Sequence, residues 1–287
     1  MSAMTDTATN DPALALLLRR HDHDRFLLAL FAPADRRDDI RAIYAFNAEI
    51  ALIKERVSEA MLGQIRLQWW RDGIAAIYRG EVPRRHEVLT PLAAAIGARG
   101  LTEEHFHRLL DARERDLAAE PPATLAALQS YAEETAAPLQ FLVLEALAAS
   151  SPAAVRAARE AAIAHALMGV LRATPHLARQ RRILLPRALV EETGLDPESL
   201  FAGRPAPALI EIARRVAGRA GEHLAAAVAV RPRVARAALP ALLPAILADA
   251  DLKRLRRVGF DLFAPAFRRD DSWRAWRLTW AMLVGKY

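Results

Sequence analysis

ERVSEAMLGQIRLQWWRDG, residues Glu55 to Gly73, sets two adjacent tryptophans in a helix-forming run that also carries Gln64, Arg66, Gln68, Arg71 and Asp72. A helix with indoles on one side and that many polar groups on the others can line a deep interior, where each polar group must find a partner. It can equally fill a core with its tryptophans while its arginines reach past the rim to water. What this helix faces bears directly on function.

Outward from that stretch the chain reads as helical throughout. Its 287 residues are 53% hydrophobic and 26% charged, the balance of an ordinary globular protein with enough chain for one large core. Alanine and leucine dominate, and the alternation of β-branched residues that marks strands is nearly absent, so the fold class expected is all-α. With no cysteine there is no disulfide framework, thiolate nucleophile or thiolate metal site, which permits a reducing compartment such as the cytoplasm. Residues 1–11 carry no basic stretch followed by an apolar one, so neither a secretory signal nor order is expected there. The remainder, 12–287, reads as a single domain. No uninterrupted apolar run is long enough to span a bilayer; the nearest, Ala237 to Ala248, holds Pro240 and Pro244. The net charge of +6 suits an anionic partner, although a genome that favours arginine would produce the same balance.

Helix starts are marked at Asp11-Pro12, Ser151-Pro152 and Asp196-Pro197, and more weakly at Thr102 and Thr124. Gly80, Gly100 and Gly194 mark stops. Between them helices are expected near 12–30, 36–54, 59–78, 86–98, 102–118, 124–148, 152–178, 196–201, 207–229, 233–257 and 270–283. Pro138, Pro240 and Pro244 fall inside such runs and should kink or split them. The eight histidines are scattered and form no local metal cluster, and no phosphate loop or dinucleotide fingerprint is present.

Three blocks together resemble the squalene/phytoene synthase family, the all-helical head-to-head prenyl transferases. The first runs from Ala34-Asp35-Arg36-Arg37 through Ile43-Tyr44-Ala45-Phe46. The second is Leu67-Gln68-Trp69-Trp70-Arg71, and the third is HALMGVLRATPHLARQRRILLP, from His165 to Pro186. More narrowly, VSEAMLGQIRLQWWRD and LRATPH look like the branch that contains a mitochondrial complex I assembly factor, generally regarded as non-enzymatic. The resemblance implies an isoprenoid synthase-type helical bundle with a central cavity, which Met61, Gln64, Gln68 and Trp69 would line. It also implies two aspartate-rich clusters holding magnesium around a prenyl diphosphate, because the departing diphosphate develops charge that hard cations neutralise.

Those clusters are degenerate here. Where the family has its first acids this chain has Ala51 and Leu52, with only Glu55 answering the third. Where it has the second, Arg172 remains but the acid positions are Ala173 and Leu177. Alanine and leucine offer no oxygen to a cation, so no metal site and no cofactor are expected. Magnesium would enter only if Glu49, Glu55, Asp111 and Asp116 could replace the lost ligands and sustain prenyl transfer. The ordinary reading of Asp111 and Asp116 is ion pairs with Arg108, Arg113 and Arg115. The basic side is better kept. Arg172, Arg179 and Arg182, with Tyr44, are the residues expected to hold a diphosphate or phospholipid head group, since guanidinium matches phosphate oxygens in a rigid fork.

Two readings therefore stand beside the enzyme: a non-catalytic assembly or binding factor for respiratory complex I, and a prenyl-lipid or phospholipid binding module. The partners expected are a membrane surface or a membrane-associated protein complex, with the protein peripheral on the inner membrane. Nucleic acid is not expected, because strand platforms and helix-turn-helix readers are both missing. At the far end Trp273, Trp276 and Trp280 recur at three and four among Arg268, Arg269, Arg274 and Arg277. That pattern fits a membrane surface or a partner groove, or a last helix docked on the core.

Overall fold

In a computed structural model that describes residues 12–57, 59–118, 120–269 and 271–287, the chain is helical, with no strand among the described residues. The tail expected over 1–11, and the Asp11 cap with it, lie outside them. Fifteen α-helices follow one another: α1 Pro12–His21, α2 His23–Leu30, α3 Arg37–Arg56, α4 Ala60–Tyr78, α5 Leu89–Arg99, α6 Glu103–Asp116, α7 Leu125–Ala146, α8 Pro152–Arg179, α9 Arg187–Thr193, α10 Pro197–Phe201, α11 Pro207–Val230, α12 Leu239–Leu242, α13 Pro244–Arg257, α14 Pro265–Arg268 and α15 Arg274–Val284.

Local chemistry sets the boundaries. Ser151 Oγ accepts the Ala154 N–H at 3.2 Å and Thr124 Oγ1 accepts that of Ala127 at 3.1 Å, opening α8 and α7. Asp196 caps α10 in the same way through Glu198 and Ser199. Thr102 precedes α6 without capping it through its side chain: its N–H and hydroxyl both donate to the Glu145 carboxylate, joining the start of α6 to the end of α7. Gly100 and Gly194 end their helices at φ +61 and +64, a conformation that glycine adopts freely.

Several boundaries differ from the sequence expectation, among them the last helix, expected over 270–283, which starts at Arg274. The helix over 12–30 is two, because the side chain of Asp22 accepts the Arg25 N–H and starts α2 afresh. The helix over 86–98 starts only at Leu89, since His86 Nδ1 accepts the N–H groups of Val88 and Leu89 and acts as its cap. The run 233–257 is broken into a short 3₁₀ turn at Arg236–Ala238, α12 and α13, with Pro240 and Pro244 each in the first turn of a new helix. Pro138, by contrast, does not split α7. The helix α9 and the single turn α14 are additions that the sequence reading did not anticipate.

The centre of the molecule is α8. It packs against α7, α11 and α13, and its buried positions point in every direction, as expected of a helix that is apolar all round. Ala154, Ala157, Ala158, Ala161 and Ala164 are fully buried along it, and such small side chains let neighbouring backbones approach closely. One continuous apolar cluster runs from Leu14 to Tyr287. The helix α4, by contrast, lies against α6 at the edge. Its buried stripe is Gly63, Leu67, Trp70 and Ile74, at spacings of four, three and four. Gly63 belongs in this stripe because a Cβ there would come within 2.5 Å of the Leu117 side chain.

Candidate functional site

The tryptophan pair is divided by that stripe. Trp70 is buried, edge-on to Phe46 with ring centres 5.3 Å apart, and Phe46 is in turn edge-on to Phe106 at 5.4 Å. Trp69 is half-buried and touches His86, and with Glu49, Arg56 and Arg66 it borders a depression of about 220 Å³. The polar side of α4 faces outward. Met61 is 67% exposed, Gln64 and Gln68 are exposed too, and Gln68 spends its amide on Asp72 at 2.7 Å. The expectation that Met61, Gln64 and Gln68 line an interior cavity is therefore corrected: burial of the Gly63–Ile74 stripe turns them to the outside.

The acids offered as replacement metal ligands are dispersed and separately paired. Glu49 holds Arg56 at 3.1 Å, Asp116 holds Arg113 at 3.1 Å, and Glu55 is exposed. Asp111 pairs with Arg71 of α4 at 2.8 Å, not with an arginine of its own helix. Among the described residues no three histidine, aspartate or glutamate side chains converge into a group that could hold a metal ion. Ala51, Leu52, Ala173 and Leu177 supply no oxygen, so the residues present do not fit the magnesium clusters of prenyl transfer.

The arginines divide as well. Arg172 and Arg179 line a cavity of about 550 Å³ bounded by α2, α8, α13 and the segment around α14, together with His176, Arg254, Arg268 and Arg269. Arg182 and Tyr44 are not among its walls. Tyr44 is buried in α3 against α7, where burial pushes its phenol up to about 12. Arg181 is drawn to Glu198 at 2.5 Å and lies over the ring of Phe201. Tyr44 and Arg182 are thereby corrected as candidates for this cavity: one is committed to the core, and the other lies beyond the end of α8.

The floor of the cavity holds what the sequence reading missed. Arg172 donates to Asp24 of α2 at 2.7 Å and lies 3.2 Å from Asp251 of α13. Arg274 of α15 pairs with the same two acids, with Asp24 very closely and with Asp251 at 3.1 Å. Arg254 stands 3.7 Å from Asp251, and His165 of α8 stands 4.0 Å from Asp24. Asp251 is 1% exposed and Asp24 is 9%. Burial alone would raise the Asp24 carboxyl, but Arg172, His165 and Arg274 outweigh it and hold it far below the usual carboxylate range. Burial first, and then the charge of Arg172, pushes His165 down to about 3, so it is neutral at pH 7.

Two carboxylates thus neutralise two guanidinium groups in a closed square contributed by four helices. Arg172, the arginine expected to meet a diphosphate, is already met by the chain itself. A sequence signal for this existed: Asp251 is a lone acid on the buried side of an alanine- and leucine-rich run, a position that demands a cationic partner.

This architecture, a helical bundle around a central α8, defines the class as the isoprenoid synthase fold. It matches the crystal structure of a dehydrosqualene synthase in complex with ligand at a TM-score of 0.81, covering 95% of this chain and 94% of that one at 18% identity. A squalene synthase from Alicyclobacillus acidocaldarius matches at 0.75, over 87% and 94% of the two chains, at 21% identity. Within that class the chain belongs to the squalene/phytoene synthase family, whose sequence profile matches residues 18–282. It is 30% identical over 256 residues to NADH dehydrogenase (ubiquinone) complex I, assembly factor 6 of Homo sapiens, covering 89% of this chain and 77% of that protein. A presqualene diphosphate synthase from Rhodopseudomonas palustris is 27% identical over 199 residues, 68% of this chain and 69% of that one.

Proposed function

We propose that this protein is a non-catalytic member of its family, a single domain over 12–287 that acts as an assembly or binding factor for respiratory complex I from the surface of the inner membrane. The observation that carries the reading is the square of Asp24, Arg172, Asp251 and Arg274. A prenyl diphosphate in the cavity would find Arg172 already paired with two buried carboxylates, and it would meet Ala51, Leu52, Ala173 and Leu177 where the resemblance implies acids that hold cations. The likeness to complex I assembly factor 6 across most of the chain supports the assembly role. Among the described residues no helix is long and apolar enough to cross a membrane, which suits a peripheral attachment.

Deleting the gene in its own organism and following complex I on native gels, together with NADH oxidation by membranes, tests the role. The expected result is loss of the assembled complex while other respiratory complexes persist, with recovery when the chain is supplied again. Unchanged complex I together with altered prenyl products would overturn it.

A further inference from the structure

The helix α15 is amphipathic the wrong way round for a core helix. One side, Arg274, Leu278 and Ala281, anchors it: the arginine in the buried square, the other two in the apolar cluster. The opposite side carries Trp273, Trp276, Trp280 and Leu283 at 64%, 60%, 58% and 64% exposure. These positions recur at three, four and three, so they form one continuous stripe of aromatic and aliphatic surface. Beside it α15, α11 and α13 enclose a cleft of about 840 Å³. Leu224, Val228, Ile246, Trp276 and Trp280 wall it, and Lys253, Arg257 and Lys286 stand around it. Lys253 is paired with Asp249 at 2.6 Å, but Arg257 and Lys286 have no carboxylate partner among the described residues.

The geometry points to this face of α15, with the cleft beside it, as the surface that docks on an anionic phospholipid bilayer. The inference rests on the membrane-side reading above and assigns that contact to particular residues. Indoles favour the interface, where the ring is in acyl chains and the N–H meets water or head groups. Unpaired Arg257 and Lys286 are the complement of lipid phosphates. A second copy of this chain fits less well, because a two-fold contact would bring the same basic rim against itself. The face lies away from the Arg172 cavity, since the two share no wall residue. Two helices link them: α13 lends residues to both walls, and α15 is held by the buried square on one side and presents its tryptophans on the other.

Vesicle flotation of the full chain tests this, using phosphatidylcholine alone and phosphatidylcholine mixed with phosphatidylglycerol. The chain should float with the anionic vesicles only, and less at high salt. Three of its five tryptophans are on this face, so emission should shift to the blue on binding and be quenched by lipids brominated in the acyl chain. The double variants Trp276→Ser/Trp280→Ser and Arg257→Glu/Lys286→Glu alter exposed positions only, and helicity by circular dichroism confirms that each is folded. Each should weaken binding roughly tenfold or more. Absence of flotation with anionic vesicles, or flotation that both variants leave unchanged, would overturn the inference. So would a dimer in solution that the tryptophan variant abolishes. If vesicle binding fails while the chain still restores complex I, only this inference falls. If the chain fails to restore complex I, the assembly reading falls whatever the vesicles show.

Discussion

Asp24 stands between two guanidinium groups from helices more than seventy residues apart from each other in sequence, Arg172 and Arg274, with little water to share the load. Removing one member of a buried pair leaves the others uncompensated, which is why truncation costs far more than the pair itself contributes. Asp24→Asn should therefore lower stability by about 3 kcal/mol in urea unfolding, whereas Asp35→Asn, exposed beside Arg36, should leave the midpoint where it is. The pH dependence follows from His165. The unfolded chain takes up that proton near pH 6.5, while the folded imidazole resists it down to about 3. In that window the unfolded state binds more protons, so stability falls as pH falls, by about 2 kcal/mol at pH 5. Asp24 has the depressed pKa of a paired carboxylate, so its contribution is present above about pH 4 and is lost only as pH falls further. Urea midpoints from pH 8 to pH 5 should slope for the native chain and lie flatter for His165→Gln; equal slopes would show that the imidazole titrates normally.

At the scale of elements, the buried square is the clasp that holds α15 against α2, α8 and α13. Apart from Leu278 and Ala281 this helix has few fully buried side chains, so it should be among the first to open when the clasp is weakened. Arg274→Met should speed amide exchange across 274–284 while α8 and α11 stay protected; uniform loss of protection would mean that α15 belongs to the global unit. The helices themselves were largely legible in the sequence, because caps such as Ser151 and Thr124 and stops such as Gly100 act through local chemistry. Which face of a helix turns inward was harder. The stripe Gly63, Leu67, Trp70 and Ile74 is readable in retrospect, but Trp69 and the glutamines beside it gave a competing polar-interior reading. A one-turn helix such as α14 has no periodicity to read, and the split at Asp22 depends on a single side chain accepting one N–H.

At the scale of the molecule, a bundle with the fold of squalene and dehydrosqualene synthases sets Arg172 and Arg179 on its cavity, while alanine and leucine stand at 51, 52, 173 and 177, where the resemblance implies acids. The lack of acids there was legible in the sequence, because it needs only residue identities at 51, 52, 173 and 177. The pairing of Arg172 was not. The partners of Arg172 come from Asp24, Asp251 and Arg274, distant in sequence, and only the packing of α2, α13 and α15 around α8 brings them together. The four substitutions Ala51→Asp, Leu52→Asp, Ala173→Asp and Leu177→Asp made together should raise magnesium affinity, which isothermal titration would detect against no heat for the native chain. The most direct measurement is pyrophosphate release by the purified native protein from farnesyl and geranylgeranyl diphosphates, with and without magnesium, beside an active squalene or phytoene synthase. Folded, helical protein that releases none under conditions where the control turns over is the result predicted here. Magnesium-dependent release that disappears on changing Glu55 or Asp116 would contradict it and make this chain a synthase with relocated metal ligands.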